Sequence, residues 1–410
     1  MPEHLAQWRA PPAGRLRVTK YDACMSDGLS FSFTPEQDAF RASVRQLVED
    51  KIAPRAAEID EADEYPLDID ELLVRNGFAG VSYPEEHGGA GGGAVELCIL
   101  VEEISRWSGG VALIPAVNKL GAIPILLGGT DEQKRLVCEG ITNGDHRMSY
   151  CLTEPGSGSD AAAMRSRAER DGDDWVITGS KRFITGAGAS DLYTYFAVTD
   201  PDGEKGKNIT AFLVSKEMPG FSLGRKEEKM GIRGSPTREV ILDGCRVPES
   251  NVIGEADGGF GLAMRTLDFS RPTIAAQALG VAQGAFDFAV DYCNERRQFD
   301  RPLSDFQGMQ FMFADMAMKI ETARLAVYRA AKAIDDDEPR VSYWAAIAKC
   351  YASDVAMSVT TDCVQALGGY GYVKEYPVER LMRDAKITQI YEGTNQIQRV
   401  VIARQIFGRR

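Results

Sequence analysis

Trp175-Val176-Ile177-Thr178-Gly179-Ser180-Lys181-Arg182-Phe183-Ile184-Thr185 lies where this chain no longer reads as helix. Trp, Val, Ile, Thr and Phe in short runs suit a pleated, half-buried surface, and Asp171-Gly172 and Thr178-Gly179 supply turn punctuation. Further runs of the same kind follow at Tyr193-Thr194-Tyr195-Phe196-Ala197-Val198, Thr210-Ala211-Phe212-Leu213-Val214 and Glu239-Val240-Ile241-Leu242. Strand-type sequence is confined to about residues 150–252, an all-β insert between helical parts.

Outward from this insert the period becomes helical. Thr34-Pro35-Glu36-Gln37 places a cap residue before proline at the first helical position, and Phe40, Val44, Leu47 and Val48 then recur at helical spacing. The glycine-rich run 84–93 has neither G-x-G-x-x-G after a strand nor a G-K-[ST] ending, so it reads as a structural turn before a helix at 95–106. Beyond Gly259 long helices are expected at roughly 260–296, 305–334, 341–367 and 395–406. Their Ala-rich stretches, 314–331 and 345–356, imply close helix packing as in a four-helix bundle. The fold class is therefore α+β. A helical domain is expected at 31–148, a central β-barrel or sandwich-like domain at 149–255, and a helical bundle domain at 256–410. Residues 1–30 read as a disordered leader upstream of an alternative start at Met25. Their arginines suggest a transit peptide, but Glu3 and Asp22 oppose it.

Composition narrows the function. With 410 residues and 44% hydrophobic content the chain can bury a large core. A net charge of −13 argues against a nucleic-acid partner, whose phosphates require clustered Lys and Arg. The eight cysteines form no C-x-x-C pair and the three histidines no ligand pattern, so a disulfide framework, a zinc site and a His-based triad are all disfavoured. The longest apolar region, 111–127, is broken by Asn118 and Lys119 and too short to span a bilayer.

Ile390-Tyr391-Glu392-Gly393-Thr394-Asn395-Gln396 sets a carboxylate between an apolar segment and a helix start. Leu381, Ile387 and Ile390 read as core-facing, so Glu392 sits where its neutral form is favoured and where a carboxylate is tuned toward proton abstraction. Gly393 frees the backbone to turn, and Asn395 with Gln398 has capping-box spacing. A simpler reading is that Glu392 complements the helix dipole, worth about 0.3–1 kcal/mol. Gly368-Gly369 suits a helix C-cap, which is compatible with a ligand site.

The order of helices, β insert and bundle, together with Leu152-Thr153-Glu154-Pro155-Gly156-Ser157-Gly158-Ser159-Asp160, resembles the FAD-dependent acyl-CoA dehydrogenase family over residues 34–406. Lys229-Met230-Gly231-Ile232-Arg233, Glu295-Arg296-Arg297-Gln298-Phe299, Gln365-Ala366-Leu367-Gly368-Gly369, and Arg383-Asp384-Ala385-Lys386 leading into Tyr391-Glu392-Gly393-Thr394 agree with it in order and spacing. The resemblance implies a flavin between the β insert and the bundle, with Tyr150, Leu152, Thr153, Phe183 and Thr185 lining the isoalloxazine ring. Most relatives carry Trp where Phe183 stands, which leaves an apolar face but no indole N–H. It assigns Arg296, Gln298, Phe299, Gln365 and Gly369 to the FAD of a neighbouring subunit, and Thr394 and Gln396 to the adenosine end. Many relatives have Thr in place of Gln298. Arg296 is suited to pyrophosphate by its planar fork. The implied assembly is a homotetramer, a dimer of dimers.

The implied reaction is α,β-dehydrogenation of an acyl-CoA to the trans-2-enoyl-CoA. Glu392 takes the α-proton, the β-hydrogen passes as hydride to flavin N5, and the backbone N–H of Glu392 helps polarise the thioester carbonyl. Some relatives carry the base at the position of Ser270, where serine leaves Glu392 as the candidate. Arg271, in a Ser270-Arg271-Pro272 turn, resembles an arginine near CoA and base, Ser159 is expected at the pantetheine arm, and Tyr391 and Gly393 beside the substrate. Leu113 and Val117 stand where medium-chain enzymes have smaller or more polar residues, which implies a short or branched acyl chain. The expected acceptor is electron-transfer flavoprotein, in the cytoplasm of a bacterium or the mitochondrial matrix of a eukaryote. The rival readings are an oxidase or specialised-metabolism dehydrogenase on the same scaffold, and a non-redox CoA-binding scaffold.

Overall fold

A computed structural model describes residues 32–408, so the expected leader and Met25 lie outside the described residues. Thr34 closes a reciprocal capping box with Gln37 at the start of α1 (Pro35–Leu47). The helices α2 (Ala56–Ala62), α3 (Leu67–Arg75), α4 (Ala94–Ser105), α5 (Leu113–Gly128) and α6 (Asp131–Asn143) complete the N-terminal part. Ten residues of α4 are buried, and its Glu102 accepts from Arg41 of α1 and Tyr328 and Arg324 of α8 (Gln307–Asp335). One carboxylate thus ties three helices.

The strand-rich segment forms β1 (Met148–Cys151), β2 (Arg167–Asp171), β3 (Asp174–Thr185), β4 (Leu192–Val198), β5 (Ile209–Ser215), β6 (Phe221–Lys226), β7 (Thr237–Pro248) and β8 (Val252–Ile253). Their order is β6-β7-β3-β2-β4-β5-β8, with β1 parallel to β4. The strands β4 and β5 are buried on both faces, which explains their uninterrupted apolar runs. The Thr178-Gly179 pair, expected as turn punctuation, lies inside one strand, β3, whose pairing with β7 is irregular between Ile177 and Gly179 and between Lys181 and Ile184. The second irregularity puts Phe183 at φ +58° and leaves its ring 62% exposed.

The C-terminal part is α7 (Gly259–Glu295), α8, α9 (Val341–Leu367), α10 (Pro377–Thr388) and α11 (Asn395–Phe407). The expected turn at Ser270-Arg271-Pro272 is not there: Pro272 lies inside the 37-residue α7. Every residue from Ser270 to Ala282 is buried, and packing on all sides carries the helix past the hydrogen bond that proline cannot make. The expected helices from 260, 305, 341 and 395 are present within a few residues. The α10 helix went unread because its buried face, Val378, Leu381 and Ala385, is small among many charges.

Gly280 and Gly284 let α7 lie directly on the end of α4. A Cβ at Gly284 would stand 1.8 Å from the Arg106 carbonyl oxygen, and one at Gly280 2.2 Å from that of Glu102. Gly284→Ala is expected to cost at least about 1–3 kcal/mol, because backbone and not a flexible side chain must move. Urea unfolding checks this, and a wild-type midpoint would contradict it. The buried Asp384 of α10 accepts N–H bonds from Gly109 and Ile232, joining all three parts of the fold; burial pushes its carboxyl up to about 6.

Candidate active site

Past the end of α10 the chain turns before α11, and this turn carries Glu392. Ile390 and Tyr391 donate their N–H groups to the Ile387 carbonyl, and Asn395 N–H to that of Gln389. Ile390 is 49% exposed, not core-facing as expected, because it already belongs to the turn. Glu392 and Gly393 then adopt left-handed φ values of +57° and +85° in succession. Glycine is required at the second position, since a Cβ there would come within 2.8 Å of Gln398 Nε2. The helix cap is Thr394, whose side chain accepts from Ile397 N, and not Asn395. Asn395 is instead buried, bonded to Ser353 and Asp354 of α9.

The Glu392 carboxylate accepts from Ser270 Oγ at 2.6 Å. Arg271, one residue on, donates through Nε to the Glu392 carbonyl at 3.4 Å and pairs with Asp268 at 2.6 Å. Burial pushes the Glu392 carboxyl above the ordinary carboxylate value, against the Ser270 hydrogen bond and the charges of Arg271 and Lys349. Tyr150 on β1 faces the same region: burial first, then the Glu392 charge, holds its phenol well above its usual value. Tyr391 donates to Gln277 of α7.

The other expected site residues fall into two groups. Leu152 is buried and Thr153 and Thr185 half-buried, and neither threonine hydroxyl has a hydrogen bond among the described residues. Ser270 and Arg271 bond to Glu392 directly, Tyr391, Gly393 and Thr394 flank it in the chain, Tyr150 of β1 lies close enough to feel its charge, and Ser149 beside Tyr150 donates to the Thr185 carbonyl of β3. Ser159 and Gln396 are exposed. Leu113 and Val117 on α5 are buried, with a Val117 methyl 3.1 Å from where a Cβ on Gly186 would stand. The second group is remote. Arg296, Gln298, Gln365 and Gly369 line one cavity of about 480 Å³ with Tyr292 and Tyr370. Phe299 lies outside the lining and is 87% exposed. Arg271 and Arg296 are separated by 25 residues of one helix, about 37 Å at 1.5 Å per residue.

The sequence did not point to Lys349, and Gln398, expected as the capping partner of Asn395, donates instead to the carbonyls of Glu392 and Gly393. A lone lysine inside the Ala-rich stretch 345–356 was the available signal for the first.

These features and the fold define a class, and comparison with known proteins bears it out. Family models for the acyl-CoA dehydrogenase N-terminal, middle and C-terminal domains match residues 34–145, 149–245 and 257–407. The chain belongs to the acyl-CoA dehydrogenase family and is an FAD-dependent oxidoreductase. It is 51% identical to a probable acyl-CoA dehydrogenase of Mycobacterium leprae, over 92% of this chain and 96% of that protein. The butyryl-CoA dehydrogenase of Megasphaera elsdenii superposes with a TM-score of 0.90 at 42% identity, covering 92% of this chain and all of that one. A chain solved in work on the electron transferring flavoprotein of Acidaminococcus fermentans gives 0.90 at 44%, covering 92% and 99%.

The residues present fit FAD. The cavity floored by Gly368 and Gly369 has no atom within 4 Å of a Cβ built at either glycine, leaving room for a group at Arg296. The free hydroxyls of Thr153 and Thr185 and the exposed face of Phe183 offer donors and an apolar surface to a flat heterocycle.

Proposed function

We propose that the chain dehydrogenates a short or branched acyl-CoA, with Glu392 as the base that takes the α-proton. The observation that carries this is the carboxylate itself: partly buried, raised by desolvation, and held by Ser270 on a left-handed turn. Serine at 270 cannot accept the α-proton, so it acts as a donor that aims the base. The Glu392 backbone N–H, fixed by the same turn, polarises the thioester carbonyl, and loss of one such donor typically costs on the order of 10²–10³ in rate. Bound FAD supplies the acceptor for the β-hydrogen. Tyr150, Leu152, Thr153, Phe183, Thr185, Thr394 and Gln396 hold it on one side, and Arg296, Gln298, Phe299, Gln365 and Gly369 serve the cofactor of a neighbouring subunit. Arg271, Tyr391, Gly393 and Ser159 take the CoA ester.

Two observations support the wider reading. Phe311, Met318 and Leu325 are exposed at seven-residue intervals on one face of α8, and Val400, Ile406 and Phe407 are exposed on α11, as a homotetramer would use them. Among the described residues no helix is long and apolar enough to cross a membrane, and we place the protein in the cytoplasm with electron-transfer flavoprotein as its acceptor.

Short-chain preference is supported by the butyryl-CoA dehydrogenase neighbour and by the closed packing at Leu113 and Val117. Titration of the yellow enzyme with C4, C5-branched, C8 and C12 acyl-CoAs is expected to bleach it fastest with the first two. Val117→Gly is expected to move the optimum to longer chains, each methylene being worth ~1–3 kcal/mol. A C12 optimum in the unmodified enzyme would remove the short-chain reading.

A further inference from the structure

Lys349 lies in the middle of α9 with no exposed surface. A buried ammonium is costly unless its donors are taken up, and here two of the three are. Nζ donates to the Gly393 carbonyl at 2.7 Å and to Asn395 Oδ1 at 3.0 Å. Asn395 is held in turn by Ser353 and Asp354. Gln398 Nε2 donates to the Glu392 carbonyl at 3.0 Å and the Gly393 carbonyl at 2.9 Å, and Arg271 reaches the Glu392 carbonyl from the other side. Side chains of α7, α9 and α11 therefore grip two consecutive carbonyls. A non-glycine residue held at φ +57° is strained and persists only where its surroundings over-determine it.

We propose that Lys349 is the positioning residue of the base: its ammonium fixes the Glu392–Gly393 turn through the Gly393 carbonyl and Asn395, and so aims carboxylate and backbone N–H together, and it adds a second buried positive charge to that of Arg271. The inference rests on Glu392 being the base. The charged and titratable groups facing Lys349 are Glu392 from the turn, Arg271 from α7, and Cys350 and Asp354 from its own helix. Asp354 is paired with Arg399 of α11. Those facing Glu392 besides Lys349 are Arg271, Tyr150 from β1 and the adjacent Tyr391. Arg271 is shared with Asp268, whereas Lys349 has no carboxylate within pairing distance among the described residues. Burial lowers the Lys349 ammonium to about 8, with Glu392 the largest opposing charge, so it is charged at neutral pH.

The test compares flavin-loaded wild type with Lys349→Met, Lys349→Gln and Glu392→Gln. Flavin content, acyl-CoA dissociation constant and the rate of flavin reduction are followed across pH. The Met and Gln variants are expected to keep flavin and acyl-CoA affinity. Their reduction at neutral pH falls about tenfold or more as the turn loosens, and the acid limb moves up, as removal of an opposite charge requires. The Gln variant, which keeps N–H donors without charge, gives the same decision if the Met variant does not fold. An unchanged rate and acid limb would overturn the inference, as would a rate lost only in step with lost flavin, which marks a fold-holding role alone. Undiminished reduction by Glu392→Gln would instead remove the base assignment on which the inference stands.

Discussion

Glu392→Gln is expected to bind FAD and acyl-CoA and to leave the flavin oxidised. The amide keeps the size of the carboxylate and can still accept from Ser270 Oγ, so the turn survives. What it loses is the proton acceptor, and with nothing else placed to take the α-proton the reduction rate falls by about 10²–10⁴-fold. The pH dependence carries a second signature. Because burial raises the Glu392 carboxyl, the ionised base is present above that raised value and is lost as pH falls through it. The wild-type rate therefore declines on the acid side at a higher pH than an exposed glutamate would give, and the residual rate of the variant shows no such decline. Rapid-mixing absorbance of the flavin reads both effects, and undiminished reduction would take Glu392 out of the mechanism.

Glu154→Ala carries the largest expected cost in stability. Glu154 is 7% exposed and takes N–H bonds from Arg165 at 2.6 Å and Ser166 at 2.9 Å as well as the Lys181 ammonium at 2.8 Å. Burial pushes its carboxyl up, but Lys181 and these donors outweigh burial and hold it below the ordinary value. Lys181 has no exposed surface, and its other oxygen contact, the Leu152 carbonyl at 3.2 Å, carries no full charge. Removing the glutamate strands a buried cation, which costs about 3–5 kcal/mol. The loop that presents Thr153 and Ser159 loosens with it, and flavin is lost. Urea unfolding and the flavin-to-protein ratio measure the two effects. Adding Lys181→Met is expected to recover most of the stability, because it removes the stranded charge. A loss below about 1 kcal/mol would show that solvent reaches the pair and screens it.

Legibility in the sequence followed physical cause. Phe40 and Val44 of α1, the capping box at Thr34, and the doubly buried β4 and β5 announce themselves because each repeats a local rule over several residues. Glu392 and Gly393 were legible as a carboxylate before a turn. What escaped depends on contacts between distant segments. Pro272 reads locally as a break and is overruled by packing along α7. Asn395 has the spacing of a cap but is drawn into α9 by Ser353 and Asp354, so Thr394 caps instead. Lys349 is a single charge in an alanine-rich helix, and its purpose appears only when α9 meets a turn 44 residues further on. The separation of Arg296 from Arg271 along one rod could be measured from sequence, but not the cavity that Gln365 and Gly369 build beside Arg296.

All seven cysteines among the described residues are unpaired and buried, and desolvation pushes up the thiols of Cys98, Cys138, Cys151, Cys245, Cys293, Cys350 and Cys363. The thiolate is the form that reacts, so these sulfurs take no part in exchange or oxidation while the fold is intact. For an oxidoreductase this has an analytical consequence: these seven sulfurs form no disulfide that could take up electrons beside the flavin. Alkylating reagents are expected to leave these seven thiols unmodified in the native enzyme and to reach them only as it unfolds.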